Sequence, residues 1–411
     1  MGGDRDTMTK QLSLAMDTAH NKKAPEIAPN HQMSSIPTFQ SIQAEIAESL
    51  VVDKEQDYLL DILLASILSI ELERPLFMMV QAASSSGKSA YLILFDKCAH
   101  FHKLHSLTPR TLFSGHSDAE GGYIPAVMKK KGILCIPDFT TVLSECKSNR
   151  NEIFSQLRIA YDGEGGRATG VDVKNIQDRQ WRGKLACICA VTGKIELFKS
   201  KASDLGERFL YYRHTAVELN AEEMLAWSKK QAALNVRKIQ SDIKKLLSQG
   251  KKALKDVELD DDINLYIYSS ADYIAKLRAV VDRDNYTRQI EYIHPPEKPF
   301  RLQNQLRGLY QCLLAIHDAE SNRPRLALNA VVYSCIPELR FNIVELLSNQ
   351  PMLTTAEIST EIGLPETTVR TRLEDLSAQQ ILEVSHGGRH NASTWNISPS
   401  FKKLYEIVRP S

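Results

Sequence analysis

Pro75-Leu76-Phe77-Met78-Met79-Val80-Gln81-Ala82-Ala83-Ser84-Ser85-Ser86-Gly87-Lys88-Ser89 is the stretch around which the rest of the chain arranges itself. Its first half is a short apolar run suited to a buried strand. Its second half is small and polar, and Ala90-Tyr91-Leu92-Ile93-Leu94-Phe95 then reads as a helix. Strand, small-residue loop, Gly-Lys-Ser and helix in that order form a phosphate-binding loop. Loop N–H groups and the helix N-terminus concentrate positive partial charge where phosphate oxygens sit. In this reading Ala82, Ser84, Ser85, Ser86, Gly87, Lys88, Ser89 and Ala90 contact nucleotide. Lys88 reaches the β- and γ-phosphates, and the Ser89 hydroxyl holds Mg²⁺. The first position of the G-x-x-x-x-G-K-[ST] pattern is Ala82, which lacks free access to positive φ.

Further along, Gly132-Ile133-Leu134-Cys135-Ile136-Pro137-Asp138-Phe139 is an apolar run closed by a carboxylate. An acid at the C-terminal end of a second sheet strand can complete a Mg²⁺ shell, so Asp138 joins Ser89 as a metal candidate. The competing reading is a turn residue at a strand end. No glutamate follows Asp138, and Glu120 and Thr140 are the remaining candidates to polarise an attacking water. Leu185-Ala186-Cys187-Ile188-Cys189-Ala190-Val191 is a third strand. It ends at Thr192, which would lie beside a γ-phosphate or simply terminate the strand. Arg208 precedes the apolar run Phe209–Tyr212, where it can stabilise transition-state charge on a neighbouring subunit's nucleotide or pair with Glu207 or Asp204. Catalytic candidates are thus Lys88, Asp138, Thr192 and Arg208. Apolar strands alternating with helices predict an α/β fold with a parallel sheet and the nucleotide at the strands' C-terminal ends.

The flanks divide into further regions. Residues 1–45 are polar and proline-punctuated and read as a flexible tail, with a P-loop core over 46–218. A helix is expected to begin near Asp53, where Asp53 and Gln56 have capping-box spacing. A helical lid or linker occupies 219–338. It opens on a long helix over 221–247 with basic pairs at Lys229/Lys230, Arg237/Lys238 and Lys244/Lys245, suited to a phosphate backbone or to a solvated face. Helices follow over 265–283 and 302–319, and Arg301 stands where a lid would meet nucleotide. Residues 339–411 read as helix, helix–turn–helix and β-hairpin, a winged helix. Its second paired helix would present Thr367, Thr368, Arg370 and Thr371 to DNA, with Arg389 in the wing near phosphate. Acids outnumber bases in this region, so a protein contact stands as the competing reading.

Composition narrows the class. The chain has 411 residues, 43% hydrophobic and 25% charged, with a formal net charge of +1. That is an ordinary globular balance with no global attraction for nucleic acid or membrane, so either partner must meet a local patch. The seven cysteines are scattered with no Cys-x-x-Cys, which favours reduced thiols over disulfides or zinc. No secretory leader is read, and the apolar segment Tyr58–Ile70 is interrupted by Asp61 and too short to span a bilayer, so a cytoplasmic protein is expected.

The order of these motifs resembles a family: the P-loop ATPases of phages and integrative mobile elements, distantly similar to minichromosome-maintenance helicases of the AAA+ class. The strings that carry the resemblance are Ala82–Ser89, Ile136-Pro-Asp-Phe-Thr-Thr141, Gln156-Leu-Arg-Ile-Ala-Tyr-Asp-Gly163, Ala190-Val-Thr192 and Leu205-Gly-Glu-Arg-Phe209, within residues 75–215. The resemblance implies Asp138 as the Walker B acid, Thr192 as sensor 1, Arg208 as an arginine finger and Arg301 as a sensor 2 residue. It also implies an ATP- and Mg²⁺-dependent motor, assembled as a homo-oligomeric ring for which a hexamer is one size, acting on DNA through its channel and winged helix. A helicase or replication initiator of a mobile element is the leading expectation. The family has Gly where Ala82 stands, and the AAA+ class has Glu where Phe139 stands. An ATP-switched DNA-binding regulator, or a scaffold ATPase in a defence or transposition system, stands as the alternative.

Overall fold

Four apolar runs too continuous for a half-exposed strand, joined by the half-buried edge segment Phe101-His102-Lys103, become the five strands of one parallel sheet in the computed structural model of the chain. They are β1 (Phe77–Gln81), β2 (Phe101–Lys103), β3 (Lys131–Ile136), β4 (Lys184–Val191) and β5 (Phe209–Arg213). The sheet order is β2-β3-β4-β1-β5, with every neighbouring pair parallel. The structure describes residues 37–409, apart from 54, 85, 115–120, 166–180, 200–207, 218, 232, 285 and 387–391. All of β1 and nearly all of β4 are buried, and for that reason these segments show no polar alternation. Cys135, Cys187 and Cys189 lie buried in β3 and β4, and burial pushes the Cys135 thiol up to about 12.

Against the sheet lies the helix Leu59–Leu68, whose ten residues are all buried. Asp61, the charge inside this apolar run, is neutralised in place. Arg323 donates to both its oxygens at 2.8 Å, and His317 Nε2 lies 2.8 Å from Oδ1. The helix begins at Leu59 rather than near Asp53. Asp53 instead accepts from the N–H groups of Glu55 and Gln56 in a turn, a local use that competes with helix. Of the tail expected over 1–45, residues 1–36 lie outside the described residues, and the remainder is largely helical. Thr38 caps a helix over Phe39–Ala47 that buries Phe39, Ile42 and Ile46.

The expected long basic helix is two: Ala221–Lys230 and Val236–Ala253, the second capped by Asn235. Several of its charges are locally paired, Lys238 with Glu45 at 2.8 Å, Lys245 with Asp242 at 3.1 Å and Lys251 with Glu71 at 3.2 Å. The helix expected to reach residue 283 stops at Arg278. Val281–Arg283 then pairs antiparallel with Ile290–Ile293 as a hairpin. Helices Phe300–Ile316 and Arg323–Ser334 complete the helical layer. Among the described residues, no helix is long and apolar enough to cross a membrane.

The C-terminal region is a winged helix. Helices Glu338–Asn349, Thr355–Ile362 and Glu366–Ala378 are followed by the antiparallel strands Leu382–Ser385 and Thr394–Ile397, and a helix closes it over Pro399–Val408. Local signals set its turns. Thr354 and Glu357 form a capping box, and Gly363 ends that helix at φ +72°. Arg340 ties the winged helix to its neighbour. It is 6% exposed and donates to the carbonyls of Leu277 and Ala279 and to Gln379 Oε1. Burial lowers its pKa to about 10. Tyr273 stacks on Phe401 at 5.4 Å on the same seam.

Arg340→Ala leaves two buried carbonyls without this charged donor. It is expected to destabilise the protein by about 2–3 kcal/mol, read as a lower melting temperature, with earlier proteolytic release of the winged helix.

Candidate functional site

Register decides what meets at the top of the sheet. Gln81 lies opposite both Val191 and Arg213, and Ile136 lies opposite Cys189. Ala82, Asp138 and Thr192 therefore leave three adjacent parallel strands at the same end. Ala82 extends β1 by donating to the Val191 carbonyl at 3.0 Å and is 4% exposed. It does not lie in the left-handed region, so alanine there meets no backbone strain. The glycine requirement falls on Gly87, the N-cap of the helix Lys88–Ile93, with φ +82°. A Cβ at Gly87 would meet open space, so backbone conformation alone selects glycine.

Lys88 folds over its own loop. Its ammonium donates to the carbonyl of Ala82 at 2.8 Å and to that of Ala83, with Ser86 Oγ at 3.4 Å. Partial burial holds this ammonium below the usual lysine range, and the Asp138 carboxylate opposes that shift. Lys88 and Asp138 thus share one electrostatic environment. Ser84 and Ser89 are exposed and Ala90 is half-buried, while Ser85 lies outside the described residues.

Asp138 is exposed, and its Oδ1 accepts from the Thr140 N–H at 3.0 Å. Thr140 Oγ1 in turn accepts from the Thr192 N–H at 3.2 Å and lies 3.5 Å from Thr192 Oγ1. The candidate water-polarising Thr140 is thereby a strut between the two strand ends. Glu120, the other candidate, lies outside the described residues. Phe139 is fully buried and stacked on Phe154 at 5.9 Å, so the side chain after Asp138 points into the core.

The donor set fits a phosphate-bound Mg²⁺ better than a protein cage. Among the described residues no group of three or more His, Cys, Asp and Glu could hold an ion. A Ser89 hydroxyl and the Asp138 carboxylate would be sparse ligation of the kind Mg²⁺ accepts when phosphate and water supply the rest of its shell.

Two predicted residues stand elsewhere. Arg208 immediately precedes Phe209, which pairs with Phe77 at the beginning of β1, so it occupies the opposite end of the sheet from Lys88. It binds Asp162 at 2.8 Å, whereas Glu207 and Asp204 lie outside the described residues. Arg301 is at that end too: with Arg74 and Arg208 it acts on the Tyr161 phenol, whose pKa is raised mainly by burial. The helix Phe300–Ile316 enters the fold there, and Gln305 Nε2 donates to the Arg208 carbonyl at 2.5 Å. Arg301, expected where a lid would meet nucleotide, thus lies at the far end of the sheet from Lys88 of its own chain. Beside this arginine group a cavity of about 550 Å³ is lined by Arg74, Tyr161, Asp162, Glu164 and Lys184.

Sequence reasoning missed the support beneath the loop. His214 follows β5, and its N–H donates to the Gln81 carbonyl at 2.8 Å. Its ring lies between Asp57 and the Ser86 carbonyl, 3.2 Å from each. Arg213, beside it, binds Glu196 at 3.0 Å and the Tyr333 and Ile336 carbonyls. Neither residue belongs to a spaced motif; only the placement of β5 beside β1 reveals them.

In the winged helix, Val369, Leu373 and Leu376 face inward while Thr367, Thr368 and Arg370 are exposed and Thr371 is half-buried. Arg370 is ion-paired with Glu366. Arg389 lies outside the described residues. From the hairpin, Arg283 reaches across to Asp375 at 2.8 Å, Glu374 at 3.0 Å and the Thr371 carbonyl at 3.2 Å. Residues 336–383 match the family described as winged helix-turn-helix DNA-binding. No curated protein matches the chain.

Phe139→Glu would place a carboxylate in the core against Phe154. It is expected to cost about 3–5 kcal/mol of stability, seen as a lowered melting temperature, without raising any nucleotide turnover.

Proposed function

We propose that the chain binds ATP with Mg²⁺ at the Lys88 loop, hydrolyses it, and couples this to DNA held by the winged helix. The observation that carries the reading is the convergence of Lys88, Asp138 and Thr192 at one end of three adjacent parallel strands. Open parallel sheets bind ligands outside the carboxyl ends of their strands, and this end presents a glycine-capped helix start, a lysine and a carboxylate. Lys88 would leave its loop carbonyls for the β- and γ-phosphate oxygens, and Ser89 and Asp138 would hold Mg²⁺. When bound, the metal would supply neutralisation of the phosphate charge. Thr140 keeps the Asp138 and Thr192 strand ends at fixed spacing. With Phe139 buried, the base that orients water must come from another segment.

The position of Arg208 and Arg301 favours their action on a neighbouring copy. About five strand residues at 3.3 Å each, roughly 16 Å, separate them from their own loop. A head-to-tail assembly presents one subunit's arginine end to the next subunit's phosphate end, and such interfaces close into rings when the rotation permits. This supports a ring-forming ATPase of the AAA+ class acting on DNA. Its use as a helicase or replication initiator of a mobile element rests on the motif resemblance. The match at 336–383 favours a second reading, an ATP-switched DNA-binding regulator that reads a site without moving along it. A forked-duplex assay separates the two, because a regulator displaces no strand.

Lys88→Ala is expected to abolish ATP hydrolysis by the purified protein in Mg²⁺, and wild-type turnover in that variant would overturn the enzyme assignment. Arg208→Ala should bind ATP normally yet lose about 10³-fold in turnover; mixing it with Lys88→Ala should restore part of the rate if the arginine acts between subunits. Arg370→Ala should weaken binding to all DNA sequences at low salt and lower the salt slope by about one.

A further inference from the structure

The Ser86–Gly87 peptide is held from beneath by a buried histidine. His214 and Asp57 side chains are only 6% and 5% exposed. His214 Nε2 lies 3.2 Å from the Ser86 carbonyl oxygen, which can only accept, so Nε2 carries a hydrogen. Nδ1 lies 3.2 Å from Asp57 Oδ1. That carboxylate already receives the Leu59 N–H at 2.9 Å, the Tyr212 hydroxyl at 3.3 Å and the Tyr91 hydroxyl at 3.4 Å. The Tyr212 hydroxyl accepts from the Tyr58 N–H at 2.9 Å, which leaves its own hydrogen for Asp57. The ring thus spans a fixed acid and the loop.

Geometry gives this contact a consequence. No peptide among the described residues is cis, and in a trans peptide the C=O and the following N–H point in opposite directions. Fixing the Ser86 oxygen on the buried side turns the Gly87 N–H outward, away from His214. Gly87, at φ +82° and with open space around its Cβ position, has no side chain to set this orientation. We propose that His214 is a positioning residue of the phosphate site: it locks the 86–87 peptide so that the Gly87 N–H faces phosphate. The inference rests on the nucleotide reading above and adds to it the residue that orders the loop. Asp57 orients the histidine, and Tyr212 and Tyr91 orient Asp57. His214 touches no nucleotide and takes no part in proton transfer.

The test measures equilibrium binding of ATP and AMP to the full chain, with melting temperature recorded alongside. His214→Phe keeps the ring's bulk and removes both ring nitrogens; it is expected to weaken ATP binding by about 10- to 100-fold and AMP binding by under about threefold, because AMP lacks the β- and γ-phosphates the loop holds. His214→Gln retains a donor toward Ser86 and is expected to recover at least half of the lost binding free energy. An equal fall for ATP and AMP would assign His214 a merely structural role and overturn the proposal, as would unchanged ATP affinity in His214→Phe. If His214→Phe does not fold, Asp57→Asn is read in its place against the same ATP-to-AMP split. Failure of the wild type to bind ATP, or wild-type ATP affinity in Lys88→Ala, overturns the nucleotide reading itself. ATP binding that depends on Lys88 but not on His214 overturns only the positioning role.

Discussion

The parallel register of β1 with its two neighbours sets every distance at the candidate site. Because Gln81 sits opposite both Val191 and Arg213, the loop that follows β1 is flanked by Thr192 on one side and His214 on the other. A slip of one residue would exchange inward and outward side chains along β1 and move the loop by about 3.3 Å relative to both. The burial of β1 on both faces makes such a slip costly, since Phe77, Met78, Met79 and Val80 all fill the core. Hydrophobic packing of the strand thus maintains the polar geometry at its end.

The same sheet separates two kinds of charge. Lys88 and Asp138 lie where the strands end, while Arg74, Arg208 and Arg301 gather where β1 and β5 begin. Among the described residues the two groups stay at opposite ends of the sheet. Charges inside the helical layer are treated differently: Asp61 is enclosed by Arg323 and His317 and has the character of a structural pairing. Its cost of burial is offset by paired donors, so an acid within an apolar helix marks a packing solution here.

Much of this was legible from residue order. The apolar runs around residues 77–81, 132–136, 185–191 and 209–213 are strands because strands buried on both faces must be apolar throughout. Gly87 marks the start of the helix that follows β1, and Thr354 with Glu357 marks the winged helix's second helix. The breaks were less visible. The interruption of the basic helix at 231–235 and the turn at Asp53 depend on local caps that compete with helix. The end of the sheet at which Arg301 stands was not legible, because helical periodicity fixes a face, not the end at which a helix enters. His214 and Asp57 stand 157 positions apart, and no short motif links them; only strand adjacency does.

Arg283 and Arg340 give the winged helix a mechanical character. Arg283 grips the Glu366–Ala378 helix at Thr371, Glu374 and Asp375, and Arg340 and Gln379 bind the carbonyl that follows the Asp261–Arg278 helix. A reader on a slack tether would contribute only local concentration. Here the exposed edge of the helix is bolted to the helical layer at several points, as a tool is fixed in a chuck. Whatever that edge grasps is held at a set angle to its mounting. The angle is set by side chains of both parts, so the winged helix and the helical layer turn as one piece.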